Sequence, residues 1–264
     1  MKIGFVGCGN MARAILGGIQ KQKLVTPEEV MASAKTEETK RKIRDELKIR
    51  PAENNREAAA FADILILAVK PAYMEEVIEE IADSVRPETI VVTLAPGKTL
   101  QWLDSTFGKP TKLVRTMPNT PALVGEGMTA LCPNSFVTEE ELAAVEKIFQ
   151  SCGKTQVVPE NLIDVVVGVS GSSPAYVFLF IEALADAAVA DGMPRAMAYK
   201  FAAQSVLGSA GLALETGMHP GELKDMVCSP GGTTMEAVRV LEEKGFRSAV
   251  FEASKACVRK ARGL

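Results

Sequence analysis

The chain begins Met1-Lys2-Ile3-Gly4-Phe5-Val6-Gly7-Cys8-Gly9-Asn10-Met11-Ala12, and the reading of this stretch decides the fold. Residues 2–6 are a short β-branched and aromatic run, which predicts a strand. The run breaks into Gly7-Cys8-Gly9-Asn10-Met11-Ala12. In a dinucleotide-binding turn of this spacing the first glycine makes the strand-to-helix turn and the second admits a pyrophosphate to the backbone. A small third residue then lets helix and strand pack closely. Ala12 meets the last requirement. Met11, Ile15, Leu16 and Ile19 recur on one face of a following helix, whose first N–H groups and positive dipole end would point at phosphate. Glycine pairs punctuate many turns for conformational reasons alone. The strand before and the helix after are what favour the nucleotide reading, with Gly7, Cys8, Gly9, Asn10 and Met11 around the pyrophosphate.

Composition narrows the partners. With 264 residues and 47% hydrophobic content the chain can fill one large core or two ordinary ones. Thirty basic residues against 33 acidic ones give a net charge of -3, which offers no electrostatic case for nucleic acid or an anionic membrane. A small-molecule partner is expected. Gly7, Gly9 and Arg13 interrupt any apolar core of signal-peptide length, and residues 175–190, the most membrane-like stretch, are too short and carry Glu182 and Asp186. Cys8, Cys132, Cys152, Cys228 and Cys257 are scattered without a Cys-x-x-Cys pair, as expected of reduced cytoplasmic thiols, and no metal site is expected.

Outward from the opening turn, strands alternate with helices. Residues 30–33 read as a second strand and 37–47 as a charged amphipathic helix. At the end of a second strand an acidic residue normally grips the ribose of NAD; Ser33, Ala34, Lys35 and Thr36 stand there instead. A hydroxyl and an ammonium suit the extra phosphate of NADP, so NADPH is favoured over NADH, although Glu37 or Glu38 could still reach a ribose. Asn54 and Asn55 start a short helix. Residues 64–69 are an uninterrupted apolar run of the kind covered on both faces in a parallel sheet, and they end at Lys70-Pro71 before a helix over 73–81. Strands over 89–94 and 112–116 end at Ala95-Pro96-Gly97 and Met117-Pro118-Asn119-Thr120. Residues 128–132, a helix over 139–150 and a strand over 155–158 close a first domain of residues 1–159. The alternation predicts a doubly wound, mostly parallel sheet with ligands beyond the carboxyl ends of its strands.

From residue 160 the character changes to packed helices, giving a second domain of residues 160–264. Ser170-Gly171-Ser172-Ser173-Pro174 reads as a break, 175–190 and 195–215 as long helices. Small residues cover much of the latter, and so few helices cannot enclose two such surfaces within one subunit, which predicts a homodimer. Ser229-Pro230-Gly231-Gly232-Thr233-Thr234 precedes a helix over 235–243, so N–H groups, hydroxyls and a positive dipole end converge on what reads as a second anion site, for a small carboxylate. A plain hydroxyl cap is the alternative. His219, the one histidine, stands before a proline at a helix start and reads as a cap.

Taken together, Gly4 through Met11, Ala68-Val69-Lys70-Pro71, Arg115-Thr116-Met117-Pro118-Asn119-Thr120-Pro121, Gly171 through Tyr176, and His219-Pro220-Gly221 with Ser229 through Thr234 resemble the pyrroline-5-carboxylate reductase family, in the family's order and over the whole chain. The resemblance implies a Rossmann-type domain followed by an all-helical dimerisation domain, dimers often built into rings, and substrate held between a cofactor domain and a helical domain. It implies hydride transfer from NADPH, or NADH, to the imine carbon of 1-pyrroline-5-carboxylate, giving proline. Ser33, Lys35 and Asn55 would then surround the adenosine half, and Ala68, Val69, Lys70, Pro71, Ala95, Gly97 and Asn119 the nicotinamide half. Ser229, Gly231, Gly232, Thr233 and Thr234 would hold the substrate, with Glu160 at its edge and Thr234 as the catalytic hydroxyl. Two departures stand out. Ala34 occupies a position where some relatives have a hydroxyl, and Pro96 lacks the backbone donor that alanine would supply. The alternatives are a reductase of a related cyclic imine or hydroxy acid, and a non-catalytic NADP-binding regulator.

Overall fold

The computed structural model describes residues 1–263. β1 (Ile3–Val6) leads into α1 (Asn10–Gln22), β2 (Val30–Ser33) into α2 (Glu37–Asp45), and β3 (Arg50–Pro51) into α3 (Asn55–Phe61). β4 (Ile64–Leu67) is followed by α4 (Met74–Ile81), β5 (Ile90–Thr93) by α5 (Leu100–Phe107), and β6 (Lys112–Met117) by β7 (Gly127–Pro133), α6 (Glu139–Gln150) and β8 (Gly153–Val157). Polar caps set the helix starts. Thr36, Asn54, Thr99 and Thr138 each accept a backbone N–H from the first turn, and Thr138 with Glu141 closes a capping box.

One eight-stranded sheet results, in the order β3-β2-β1-β4-β5-β6-β7-β8. β1 to β6 pair in parallel, β7 runs antiparallel to β6, and β8 is parallel to β7. The strands alternate their side chains between two covered faces, as continuous apolar runs require. Ile3, Phe5, Ile64, Ile66 and Val92 pack with Ile15, Leu16 and Ile19 of α1 and with Ile148 and Phe149 of α6. Val6, Leu65, Leu67 and Val91 pack on the opposite face with Ala58 and Ala59 of α3, Ile78 of α4 and Leu103 of α5.

The edge strand β3 was not anticipated. It has two residues, one of them proline, which cannot donate to a ladder and is tolerated only at an edge. The chain bends within 170–174: α7 (Ile163–Val166) runs into a π-turn at Val167–Gly171, Ser172 is a bend, and α8 (Ser173–Ala190) begins after it. The helical stretches over Glu160–Ala190 together are long and apolar enough to cross a bilayer by length and composition, which residues 175–190 alone are not.

Packing divides the chain into two compact units, Met1–Ser172 with the residues from Cys257 onward, and Ser173–Ala256. The second holds α8, α9 (Arg195–Thr216), α10 (Pro220–Val227), α11 (Thr233–Glu243) and most of α12 (Phe246–Ala261). Among its described residues, Ala185, Ala198 and Ala202 are the buried hydrophobics, while Phe178, Leu179, Phe201, Leu207, Leu214 and Phe251 are exposed. At the far end of the chain, Cys257 Sγ lies 3.1 Å from Ser172 Oγ, tying the last turns of α12 to the first unit.

Candidate active site

The glycine turn takes the shape its residues require. Gly7 has φ +90°, and a Cβ there would stand 2.9 Å from the Ala68 carbonyl oxygen, so no other residue fits without displacing β4. At Gly9 a Cβ would meet nothing within 4 Å, which leaves the backbone open on the ligand side. Gly9 is the N-cap of α1 and supplies no side-chain cap, so the first N–H groups of that helix are free for an anion. Burial pushes the Cys8 thiol up to about 11, although Arg13 pulls the other way. A neutral thiol beside the turn adds no charge to repel a pyrophosphate.

A cleft of about 530 Å³ opens from this turn. It is lined by Gly7, Cys8 and Gly9, by Ser33, Lys35 and Asn55, and by Ala68, Val69 and Lys70. These expected residues therefore share one wall-to-wall space. A hydrogen-bond relay forms its floor. The Gly7 N–H donates to Ser33 Oγ at 3.4 Å, Ser33 donates to Asn55 Oδ1 at 2.7 Å, and Asn55 Nδ2 donates to Glu80 Oε2 at 2.7 Å. Lys35 Nζ stands 5.6 Å from the Tyr73 ring centre, close enough for a cation–π contact. Free helix N–H groups at one end, with a hydroxyl and an ammonium at the other, fit a dinucleotide carrying an extra phosphate. Tyr73, Glu76 and Glu80 also line the cleft and were missed from sequence, because nothing in their helical spacing separates them from surface residues.

Other expected residues lie elsewhere. Asn10 is exposed at the start of α1, where it lines a small pocket with Cys8 and Thr39 beside the main cleft and a second cleft with Arg13. Met11 packs against the sheet core. Pro71 opens a 3-10 turn just past Lys70, and Ala95 and Gly97 sit on the loop after β5, outside the cleft lining. Asn119 uses its side chain on the protein itself. Its Nδ2 donates to Ser170 and its Oδ1 accepts the Met128 N–H at 2.9 Å.

Glu160 links two segments of the first unit through one carboxylate oxygen. Its Oε1 accepts the Leu100 N–H at 2.7 Å, the first N–H of α5, and Arg115 Nη1 at 3.1 Å. Arg115 reaches Asp164 Oδ1 with Nη2 at 3.0 Å, and its side chain is only 3% exposed. Its Nε is buried without a partner, which costs about 1–3 kcal/mol. Two carboxylates therefore face one arginine.

In the second unit the hydroxyl-rich segment also has a defined shape. Gly231 has φ +69°, and the Gly232 N–H donates to Ser229 O at 3.0 Å, closing a tight turn. α11 starts at Thr233 rather than at residue 235, with Gly232 as an N-cap that has no side chain to offer. Thr233 and Thr234 are thus the first helical residues. Their N–H groups and hydroxyls share the positive end of the helix. His219 caps α10, its Nδ1 accepting the Gly221 N–H at 3.0 Å.

Comparison with known proteins separates class from family. Residues 2–97 match the family described as NADP oxidoreductase, coenzyme F420-dependent, which with the cleft above defines an NAD(P)-dependent oxidoreductase that uses NADPH. Residues 160–264 match pyrroline-5-carboxylate reductase dimerisation, so the helical half self-associates. The Escherichia coli pyrroline-5-carboxylate reductase is 55% identical over 263 residues, all of this chain and 98% of the relative. The solved Coxiella burnetii pyrroline-5-carboxylate reductase superposes with a TM-score of 0.92 at 35% identity, covering 99% of this chain and 97% of that one. The Plasmodium falciparum pyrroline carboxylate reductase, solved with NADP bound, gives 0.91 at 31% identity, covering 100% and 97%. The chain belongs to the pyrroline-5-carboxylate reductase family.

Proposed function

We propose that the protein reduces 1-pyrroline-5-carboxylate to L-proline with NADPH, the last step of proline biosynthesis. The observation that carries this is full-length identity of 55% to a named reductase in a chain whose Ser229–Thr234 segment keeps an uncapped helix start. The reduced nicotinamide supplies the hydride to the imine carbon. NADH serves as the weaker donor.

The residues of the chain do the rest. Gly7, Cys8, Gly9, Asn10 and Met11 hold the pyrophosphate, Ser33 and Lys35 the ribose phosphate, and Asn55 the adenosine half. Ala68, Val69, Lys70, Pro71, Ala95, Gly97 and Asn119 border the nicotinamide. Ser229, Gly231, Gly232 and Thr233 bind the substrate carboxylate through hydroxyls and helix N–H groups, and Glu160 lies at the substrate's edge. Thr234 orients the ring nitrogen, which gains electron density as the hydride arrives and must be protonated. A threonine hydroxyl is a weak acid, so its contribution is orientation, and the proton comes from the iminium form or from solvent. Orientation of the reacting carbons supplies much of the rate.

Residues 1–159 serve the cofactor and residues 160–264 serve dimerisation and substrate. Dimers assemble further into rings, and the enzyme works in the cytoplasm without nucleic acid or membrane. The apolar run over Glu160–Ala190 is then a dimer surface rather than a span. The test is NADPH oxidation with pyrroline-5-carboxylate, where cofactor binding without turnover would overturn the reading. Thr234→Ala should lower kcat/KM by roughly ten- to several-hundred-fold, the worth of one directed hydrogen bond. Wild-type kinetics in that variant would remove Thr234 from the reaction.

A further inference from the structure

We infer that Arg115 is a positioning residue for this reduction: it fixes the Glu160 carboxylate so that Oε1 pins the start of α5 and Oε2 is left to accept a hydrogen bond from the substrate's ring N–H. The inference rests on the pyrroline-5-carboxylate reading and on Glu160 as a substrate contact, and it adds the residue that makes Glu160 usable. Glu160 Oε1 is fully committed, to Leu100 N at 2.7 Å and to Arg115 Nη1 at 3.1 Å. The hydrogen bonds to Glu160 converge on Oε1, and the Glu160 side chain is 33% exposed. One oxygen is held by both donors, on a side chain that still reaches solvent.

The arrangement is poorly explained as a stability device. Arg115 is buried with an unpartnered Nε, and it neutralises only one of the two carboxylates it touches. A buried ion pair left with an unsatisfied donor is weak evidence for stability and better evidence that a geometry is being kept. The unbalanced negative charge has a use. It favours a protonated imine at Glu160, the form of the substrate that accepts hydride most readily. The placement also connects two segments assigned to one reaction. Arg115 stands opposite Thr93 at the end of β5, and Leu100 is where the loop through Ala95 and Gly97 becomes α5. Arg115 thus sets, through Glu160, the carboxylate oxygen offered to the substrate, while the Leu100 N–H holds the same carboxylate from the other side.

The test is a double-mutant cycle in the full-length enzyme, with Arg115→Met, Glu160→Gln and the pair, read by steady-state kinetics and by NADPH fluorescence titration. Arg115→Met should lower kcat/KM for pyrroline-5-carboxylate by roughly 10- to 100-fold while the NADPH dissociation constant stays within about two-fold. In the Glu160→Gln background the same substitution should cost less than about three-fold, because its route of action is already gone. Arg115→Lys should recover part of the loss by restoring charge without the two-pronged geometry. Equal losses in both backgrounds, or NADPH affinity falling in step with kcat/KM, would overturn the inference. If Arg115→Met does not fold, Arg115→Lys runs the same cycle. Absence of turnover by the wild-type enzyme would instead remove the underlying reading, which separates the two failures.

Discussion

The dinucleotide unit and the helical unit spend their apolar residues in opposite ways. In the first, both faces of the sheet are covered by the chain's own helices, and Phe5, Ile15, Ile66, Leu67 and Phe149 are fully buried. In the second, three alanines are buried while Phe178, Phe201 and Leu214 are 63%, 64% and 86% exposed. A soluble surface with so many large apolar side chains in one region is an interface waiting to be covered. The first unit therefore completes its core within one chain, and the second completes it with another copy. One half of the molecule is a binding module in its own right, and the other becomes a structure through self-association.

The sharpest way to break this contrast is to charge the exposed helices. Phe178→Glu with Phe201→Glu forgoes about 1.5–3 kcal/mol of burial per side chain, doubled by symmetry, and puts carboxylates against an apolar partner. Sedimentation velocity should show monomers, and reductase activity should fall by roughly 100-fold or more while NADPH still binds. A dimer that survives would mean the exposed face is not the interface. Gly7→Ala probes the self-contained unit and should be felt locally. The positive φ and the 2.9 Å approach to the Ala68 carbonyl should cost about 1–3 kcal/mol in the thermal unfolding of that unit and weaken NADPH by roughly ten-fold, with the dimer intact. The smallest effect is expected at the exposed Lys35. Lys35→Ala should raise the KM for NADPH by roughly five- to twenty-fold, leave that for NADH unchanged, and leave stability untouched. Equal effects on both cofactors would move the phosphate contact elsewhere in the cleft.

Much of this was legible in the residues. The alternation of apolar runs with amphipathic stretches defined the doubly wound sheet because each signal is local, and the glycine turn announced its helix because a strand and a small-residue face flank it. The shared cleft of Gly7, Ser33, Lys35, Asn55, Ala68 and Lys70 follows from the rule that ligands sit beyond strand ends. What escaped depends on tertiary neighbours. β3 is too short to carry a period, and the π-turn at Val167–Gly171 has no signature of its own in the residue spacing. Glu80 and Arg115 act through partners many residues away, Asn55 and Glu160, and no spacing encodes that. The hydrogen bonds of the Asn119 amide to Ser170 and Met128 are likewise tertiary and not encoded in its loop.

The contact between Cys257 and Ser172 brings together the two places where the chain leaves and rejoins the dinucleotide unit. The helical unit is an insertion in the sequence of the first, which the chain leaves after Ser172 and rejoins at Cys257. Its residues form a loop whose ends are already closed, so ordering them costs less entropy than ordering a free tail. Dimerisation can then draw on nearly all of the apolar surface it covers, since little of that energy goes to bringing the two ends of the insertion together.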